Sequence, residues 1–270
     1  MPSLICSSRY TLDSQILRRT AQNLGWETLR LDGDQLPSWF QPPDNEIAFF
    51  YTAPHVFDLA SQLGRKMIGC PPDWTINLPQ ELLHRDLRQM TLAEALQLGG
   101  KNFVKHALSK AFPAAIYETQ ELAEATGKIH PAALVHVGEP VRWINEFRCF
   151  ILNRRVLTVS PYVYHGTIAA DYDSFPEVPD TELQLVHEFA ESILQRPDVS
   201  SPPAFVLDVG LIAERGWAVV ECNECWAAGI YACDPKLVLQ ALVQGNAESV
   251  KVSGTPWDFS VHYARACVSV

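Results

Sequence analysis

The sequence predicts an α/β amino-terminal unit followed by an α+β region built on antiparallel sheets. Three observations carry that expectation. In the first third, short apolar runs alternate with helix-length segments, the order that a largely parallel sheet needs. Beyond residue 95 the apolar runs follow one another with few long helices between them, as antiparallel pairing allows. A hydrophobic content of 47% with 10% aromatics over 270 residues is ample for a buried core, in one large domain or two smaller ones.

Each element has a local reason. PSLICSS reads as a strand, and TLDSQILRRTAQNLG as a helix starting at Thr11, apolar at Ile16 and Leu17, and ending at Gly25. WETLRL and EIAFFYT are strands, PHVFDLASQLG is a helix, and RKMIGC is a further strand of the same unit. The boundary is placed near residue 95, separating 1–95 from 96–270. In the second part FVKHALSKAF and PAAIYET make one hairpin region. LVHVGEPVRW, INEFRCFILN, RRVLTVSPYVY, PAFVLDVGLI and WAVVECN read as strands. TELQLVHEFAESILQ and DPKLVLQALVQG carry the helical period, and the chain shows neither internal repeats nor low-complexity segments.

Composition excludes several functions. A formal net charge of -10 and a pI of about 5.2 argue against a general affinity for nucleic acid or anionic membrane, so any bound anion must be held by a local basic cluster. The start of the chain lacks the basic and apolar regions of a signal peptide, and no apolar run approaches the roughly 20 residues of a membrane span. Seven cysteines, an odd number, fit reduced thiols better than a disulfide framework, and a cytoplasmic location is expected. No glycine fingerprint for phosphate follows the first strand, which argues against a dinucleotide-binding unit.

The stretch VVECNECW, residues 219–226, offers two incompatible readings: a CxxC site built on Cys222 and Cys225, or an oxygen-ligand site built on Glu221 and Asn223. A structural zinc site needs four ligands, and beyond this pair only Cys233 and distant histidines are available, so buried reduced cysteines are the better reading. FVLDVGLIAERGWAVVECN reads as a hairpin whose turn is centred between Glu214 and Arg215. That register places Asp208 across from Glu221, with Asn223 on the same face and Cys222 on the other. Two carboxylates and an amide suit magnesium bridging nucleotide phosphates. The competing reading is that Asp208 and Glu221 are solvated strand residues, and a bulge at Gly216 would break the pairing.

Two further groups supply cations. In INEFRCFILN, Glu146 and Arg148 share one strand face opposite Phe147, Cys149 and Ile151, so that face either meets something charged or holds a surface ion pair. Arginine suits planar contact with phosphate. In KNFVKHALSKAF, Lys105 and Lys110 are either snorkelling surface residues or the cations a triphosphate requires, and Arg85 in ELLHRDL is a further candidate.

In this order and spacing, Lys105 in FVK, EFR at 146–148, the Asp208 strand and ECN at 221–223 resemble the ATP-grasp superfamily, in particular its branch distinguished by one arginine and two lysines. The resemblance covers roughly residues 80–240, and the first third resembles the α/β unit that commonly precedes such a module. It implies ATP and magnesium as cofactors. Lys105 and Lys110 are implied at phosphates, Arg148 at the transferred phosphoryl group, and Asp208, Glu221 and Asn223 at the metal. Glu139 and Val141 in VHVGEPV are implied at adenine or ribose, chiefly through backbone atoms, Glu146 joins the nucleotide site, and Arg85 matches the branch's arginine. Two departures stand out: HALSKAF lacks the glycines that often cover the phosphates, and Glu224 follows the metal-site asparagine where a small residue or proline is common. The implied activity is a ligase that activates a carboxylate as an acyl phosphate for an amine or similar nucleophile on a small molecule or peptide. A small-molecule phosphotransferase and a non-catalytic nucleotide-binding protein are the alternatives. Tyr162, His165 and Tyr172 lie in an expected variable loop near the site, and the oligomeric state is left open.

Overall fold

Residue Ser3 begins the first strand of the computed structural model, which describes residues 1–9, 11–42, 46–168 and 175–267. In chain order the first elements are β1 (Ser3–Ser7), α1 (Leu12–Asn23), β2 (Glu27–Leu31), β3 (Ile47–Phe50), α2 (His55–Gln62) and β4 (Arg65–Met67). There follow α3 (Gln80–Leu83), β5 (Leu87–Thr91), α4 (Leu92–Ala95), β6 (Asn102–His106), β7 (Ala115–Tyr117), α5 (Thr119–Ala125) and β8 (Leu134–Gly138). The remainder comprises β9 (Trp143–Leu152), β10 (Arg155–Tyr164), β11 (Thr167–Ile168), α6 (Asp180–Gln195), β12 (Ala204–Ile212) and β13 (Gly216–Asn223). α7 (Pro235–Gln244), β14 (Asn246–Glu248), α8 (Ser249–Val252) and α9 (Phe259–Cys267) complete it.

The expected parallel unit is present. β1 pairs in parallel with β2 and β3, in the order β2-β1-β3, and its Leu4 and Ile5 are fully buried as a central parallel strand requires. Thr11 caps α1: its side chain accepts from the Ser14 amide, and the Ser14 hydroxyl returns to the Thr11 amide. Gly25, at φ +78°, supplies the left-handed residue that ends the helix. β4 departs from expectation. It pairs antiparallel with β14 rather than joining the parallel sheet, so the C-terminal elements complete the first core, where Leu239 and Leu242 of α7 meet Leu17, Phe49 and Leu59.

Two antiparallel sheets follow, one ordered β5-β8-β6-β7 and the other β11-β10-β9-β12-β13. Pro140 interrupts the run read as the single strand LVHVGEPVRW, so β8 stops at Gly138 and Trp143 opens β9 instead. β9 separates two cores: Phe147, Cys149 and Ile151 face α6, while Phe150 faces the parallel unit. Arg148, on the Phe150 side, is thereby carried to the place where the two antiparallel sheets and the parallel unit meet. None of the described helices is long and apolar enough to cross a membrane.

Candidate nucleotide and metal site

The β12–β13 hairpin sets the centre of the site by two departures that cancel. The turn is centred on Glu214 and not between Glu214 and Arg215, which shifts the register by one residue: Ile212 pairs with Gly216 around Glu214, which has φ +65°, while Gly216 has φ +101°. Continued without change, that register would set Asp208 against Val220. A bulge intervenes, because Val209 pairs with Val219 and Asp208 with Glu221, leaving Val220 as the extra residue. The bulge therefore lies at Val220, not at Gly216, and it creates the Asp208–Glu221 facing instead of breaking it.

On that face the polar groups bind one another. The Asn223 amide nitrogen lies 3.0 Å from Asp208 Oδ2 and 3.0 Å from Glu221 Oε1, so the amide bridges both carboxylates. Arg148 holds Asp208 in a fork, Nε to Oδ1 at 2.9 Å and Nη2 to Oδ2 at 2.7 Å, and Nη1 donates to Gly229 O at 3.0 Å. Its guanidinium lies 5.5 Å from the Tyr162 ring and 5.1 Å from that of Tyr231. Lys105 donates to Glu221 Oε2 across from it.

These contacts fix the charges. Burial favours a neutral Glu221, but Lys105, Asn223 and Arg148 outweigh it and hold the carboxyl down at about 2. Full burial raises Asp208 despite the Arg148 fork, and burial opposes Arg148's charge while Asp208 secures it, so the guanidinium is held more firmly protonated than usual. Two carboxylates and an amide oxygen reached by turning Asn223 form a hard-donor set suited to magnesium. The charge already balanced there by Lys105 and Arg148 is the charge such an ion would meet.

Two cavities share this wall, with Thr75, Lys105, His136 and Glu221 common to both. The smaller, about 260 Å³, is a mainly apolar slot between Phe103, Ile116, Val141 and Trp143. The larger, about 660 Å³, has a mixed polar and apolar lining and is reached by Lys105, Lys110, Arg148, Glu221, Asn223 and Glu224. Its outer wall is the segment 107–114, which contains no glycine and is organised around His106 instead. His106 Nδ1 faces the amides of Leu108 at 3.2 Å and Ser109 at 3.0 Å and the Ser109 hydroxyl at 3.0 Å. Burial lowers His106, which keeps the ring neutral and this nitrogen an acceptor. Glu224, beside Asn223, is lifted by burial to about 7.

The structure separates the other sequence candidates. Lys105, Lys110 and Arg148 share the larger cavity with Glu221 and Asn223, while Asp208 lies beneath it, fully buried under Arg148 and Asn223. Val141 lines the slot. Glu139 also borders the slot, but its carboxylate is held by Arg215 at 2.6 and 2.9 Å. Glu146 accepts a 2.5 Å hydrogen bond from Tyr162. Arg85 also lines the slot, and it directs its guanidinium to main-chain carbonyls of β13.

A family model for the ATP-grasp domain, family 2 of the clade named for its arginine and two lysines, matches residues 82–241, more than half of the chain. The chain belongs to that family. Its fold is similar to that of the D-alanine–D-alanine ligase from Bacillus anthracis, with a TM-score of 0.54 at 11% identity over 98% of this chain and 99% of that one. Weaker likenesses are the ATP-grasp ligase PsnB complexed with a minimal precursor, TM-score 0.48 at 14% identity over 90% of this chain and 98% of the other. A further one is the macrocyclase MdnC bound with precursor peptide MdnA from Microcystis aeruginosa MRC, TM-score 0.46 at 13% identity over 90% and 99%. Curated protein sequences returned no match.

One residue of this ATP-grasp chain that sequence reasoning misses is Tyr231. Tyr162, read both at the end of the strand RRVLTVSPYVY and in a loop near the site, lies in β10 and packs on Tyr231 at 5.7 Å beneath Arg148. Tyr162 is the extra residue of a bulge between Pro161 and Val163, which sends Tyr164 to the other face against Phe147, so alternation alone does not mark it. Tyr231, at φ +49° in a turn, has no signal either. His165 packs on Tyr164 at the end of β10, and Tyr172 lies outside the described residues. Cys222 and Cys225 go to separate cores: Cys225 packs against Ala241 beside the parallel unit, and Cys222 lies against Thr75 on the other side of β13.

Proposed function

We propose that the chain is an ATP- and magnesium-dependent ligase that activates a carboxylate and joins it to an amine or similar nucleophile on a small molecule or peptide. The observation that carries this reading is the apolar slot adjoining, at Lys105 and Glu221, the cavity that holds Lys110, Arg148 and Asn223. A planar base suits the slot, with the backbone of Glu139–Val141 at its edge and a triphosphate running toward the lysines. Residues 1–95 then form the preceding α/β unit and 96–270 the nucleotide-binding unit.

In this reading Lys105 and Lys110 hold phosphate oxygens and Arg148 meets the charge on the transferred group. Asp208, Glu221 and Asn223 would hold magnesium, whose contribution when bound is neutralisation of phosphate charge. The substrate carboxylate attacks the γ-phosphorus as the bond to ADP breaks. The nucleophile then attacks the acyl carbon, loses its proton, and phosphate leaves. The chain's own part is positioning: Lys105 and Arg148 already stand against carboxylates, so loading exchanges their partners without creating an unpaired buried charge.

The test is calorimetric titration of a non-hydrolysable ATP analogue with and without magnesium, on the native chain, Glu221→Gln and Cys225→Ala. Magnesium-dependent binding should be lost in Glu221→Gln and kept in Cys225→Ala. Absence of binding in the native chain, or its loss only in Cys225→Ala, would overturn the reading. Turnover separates the two chemistries: a ligase releases ADP with equimolar phosphate, a phosphotransferase ADP alone.

A further inference from the structure

Arg85 occupies an expensive position. It is 6% exposed, and among the described residues no carboxylate forms an ion pair with it. Its hydrogen bonds go to main-chain carbonyls: Nη1 donates to Leu83 O at 3.1 Å and Val219 O at 2.6 Å, and Nη2 to Val220 O at 2.9 Å. In a regular strand successive carbonyls point to opposite edges, so one guanidinium meets those of Val219 and Val220 only where the chain is bulged. This is the bulge that leaves Val220 unpaired and brings Glu221 across from Asp208.

The surroundings hold Arg85 in place. Its guanidinium lies 5.0 Å from the Trp143 ring, and Trp143 in turn packs on Gly210, where a Cβ would come within 2.8 Å of the indole. Gln80 Nε2 binds Arg85 O at 3.0 Å and Arg215 binds His84 O at 2.9 Å, fixing the backbone on both sides. Without the bulge, the register running from the turn would continue, set Val220 opposite Asp208, and turn Glu221 to the other face of the sheet.

We propose that Arg85 is a positioning residue of the metal and phosphate site, clamping the Val220 bulge so that Glu221 faces Asp208. This rests on the ATP and magnesium reading above. Arg85 acts on Glu221 through the main chain of β13, and the five-donor fork is what lysine cannot reproduce.

The experiment compares the native chain, Arg85→Lys and Arg85→Met, each with and without deletion of Val220. It reads the magnesium dependence of ATP-analogue affinity together with amide exchange along β13. Arg85→Met should weaken the magnesium-dependent part of the affinity by about tenfold or more, as loss of a residue orienting metal ligands does. It should speed exchange at residues 220–223, with Arg85→Lys intermediate. Deleting Val220 removes the extra residue, so Asp208 and Glu221 face each other in a regular ladder. In that background the Arg85 substitutions should lose their effect on the magnesium-dependent affinity. An Arg85→Met effect of the same size with Val220 deleted would overturn the proposal. Absence of magnesium-dependent binding in the native chain would instead remove the functional reading, and this role with it.

Discussion

The two walls of the larger cavity are built in opposite ways. On the β12–β13 side, Asp208, Asn223, Glu221 and Arg148 satisfy one another within buried strands. On the other side, segment 107–114 leaves Ser109, Lys110 and Ala111 exposed between the imidazole of His106, which receives the Ser109 amide, and the buried ring of Phe112. The first wall has its geometry settled before any ligand arrives, which is what charge stabilisation in a site requires. The second is a cover whose cation is free to follow the phosphates, and such covers commonly supply the moving part of nucleotide sites. The difference teaches that the lysine and the carboxylates fail in different ways when removed.

The sharpest break comes at the settled wall. Asp208→Ala leaves the Arg148 guanidinium in a buried place without its partner, and unfolding in urea should show a loss of about 3–5 kcal/mol. A loss below about 1 kcal/mol, typical of an exposed pair, would mean that the two walls do not differ as described.

The seam between the walls offers a smaller effect, read by pH. His136, paired across from Lys105 and 3% exposed, is held down at about 3 by burial and then by the charge of Lys105. In the unfolded chain it takes up its proton near pH 6.5, so between pH 6.5 and 3 the unfolded state binds the extra proton. Stability present above pH 6.5 should therefore fall as pH drops through that window, by up to about 1.4 kcal/mol per unit from this residue. His136→Gln should flatten the slope by up to one proton; an unchanged slope would place the titration elsewhere.

What was legible in the sequence follows the same division. Period-two alternation and the chain order of strands were enough for the sheets, and Thr11 and Gly25 marked the ends of α1 because capping is local. The pairing of Asp208 with Glu221 was reached by the right count for the wrong reason. The turn at Glu214 and the bulge at Val220 each shift the register by one, and neither leaves a trace in residue identity. The clamp that selects the bulge comes from Arg85, more than 130 residues earlier in the chain, and no local pattern reports a contact of that range. The pairing of β4 with β14 was hidden for the same reason. In 107–114 the missing glycines were visible, but the imidazole that does their work was not, because a histidine ending a strand reads as an ordinary core residue.

The movable wall yields the smallest effect on stability. Lys110 is exposed and lines the cavity, and removing an exposed side chain of this kind usually changes stability by no more than about 0.5 kcal/mol. Lys110→Ala should therefore unfold at the native urea concentration. Its affinity for the ATP analogue should nonetheless fall by about tenfold, the loss expected for one charged hydrogen bond to phosphate. An analogue shortened to AMP should bind the native chain and the variant equally, because the phosphates that Lys110 would reach are gone. Should AMP binding fall as well, Lys110 would be shaping the whole cavity, and segment 107–114 would be a structural wall like the one it faces.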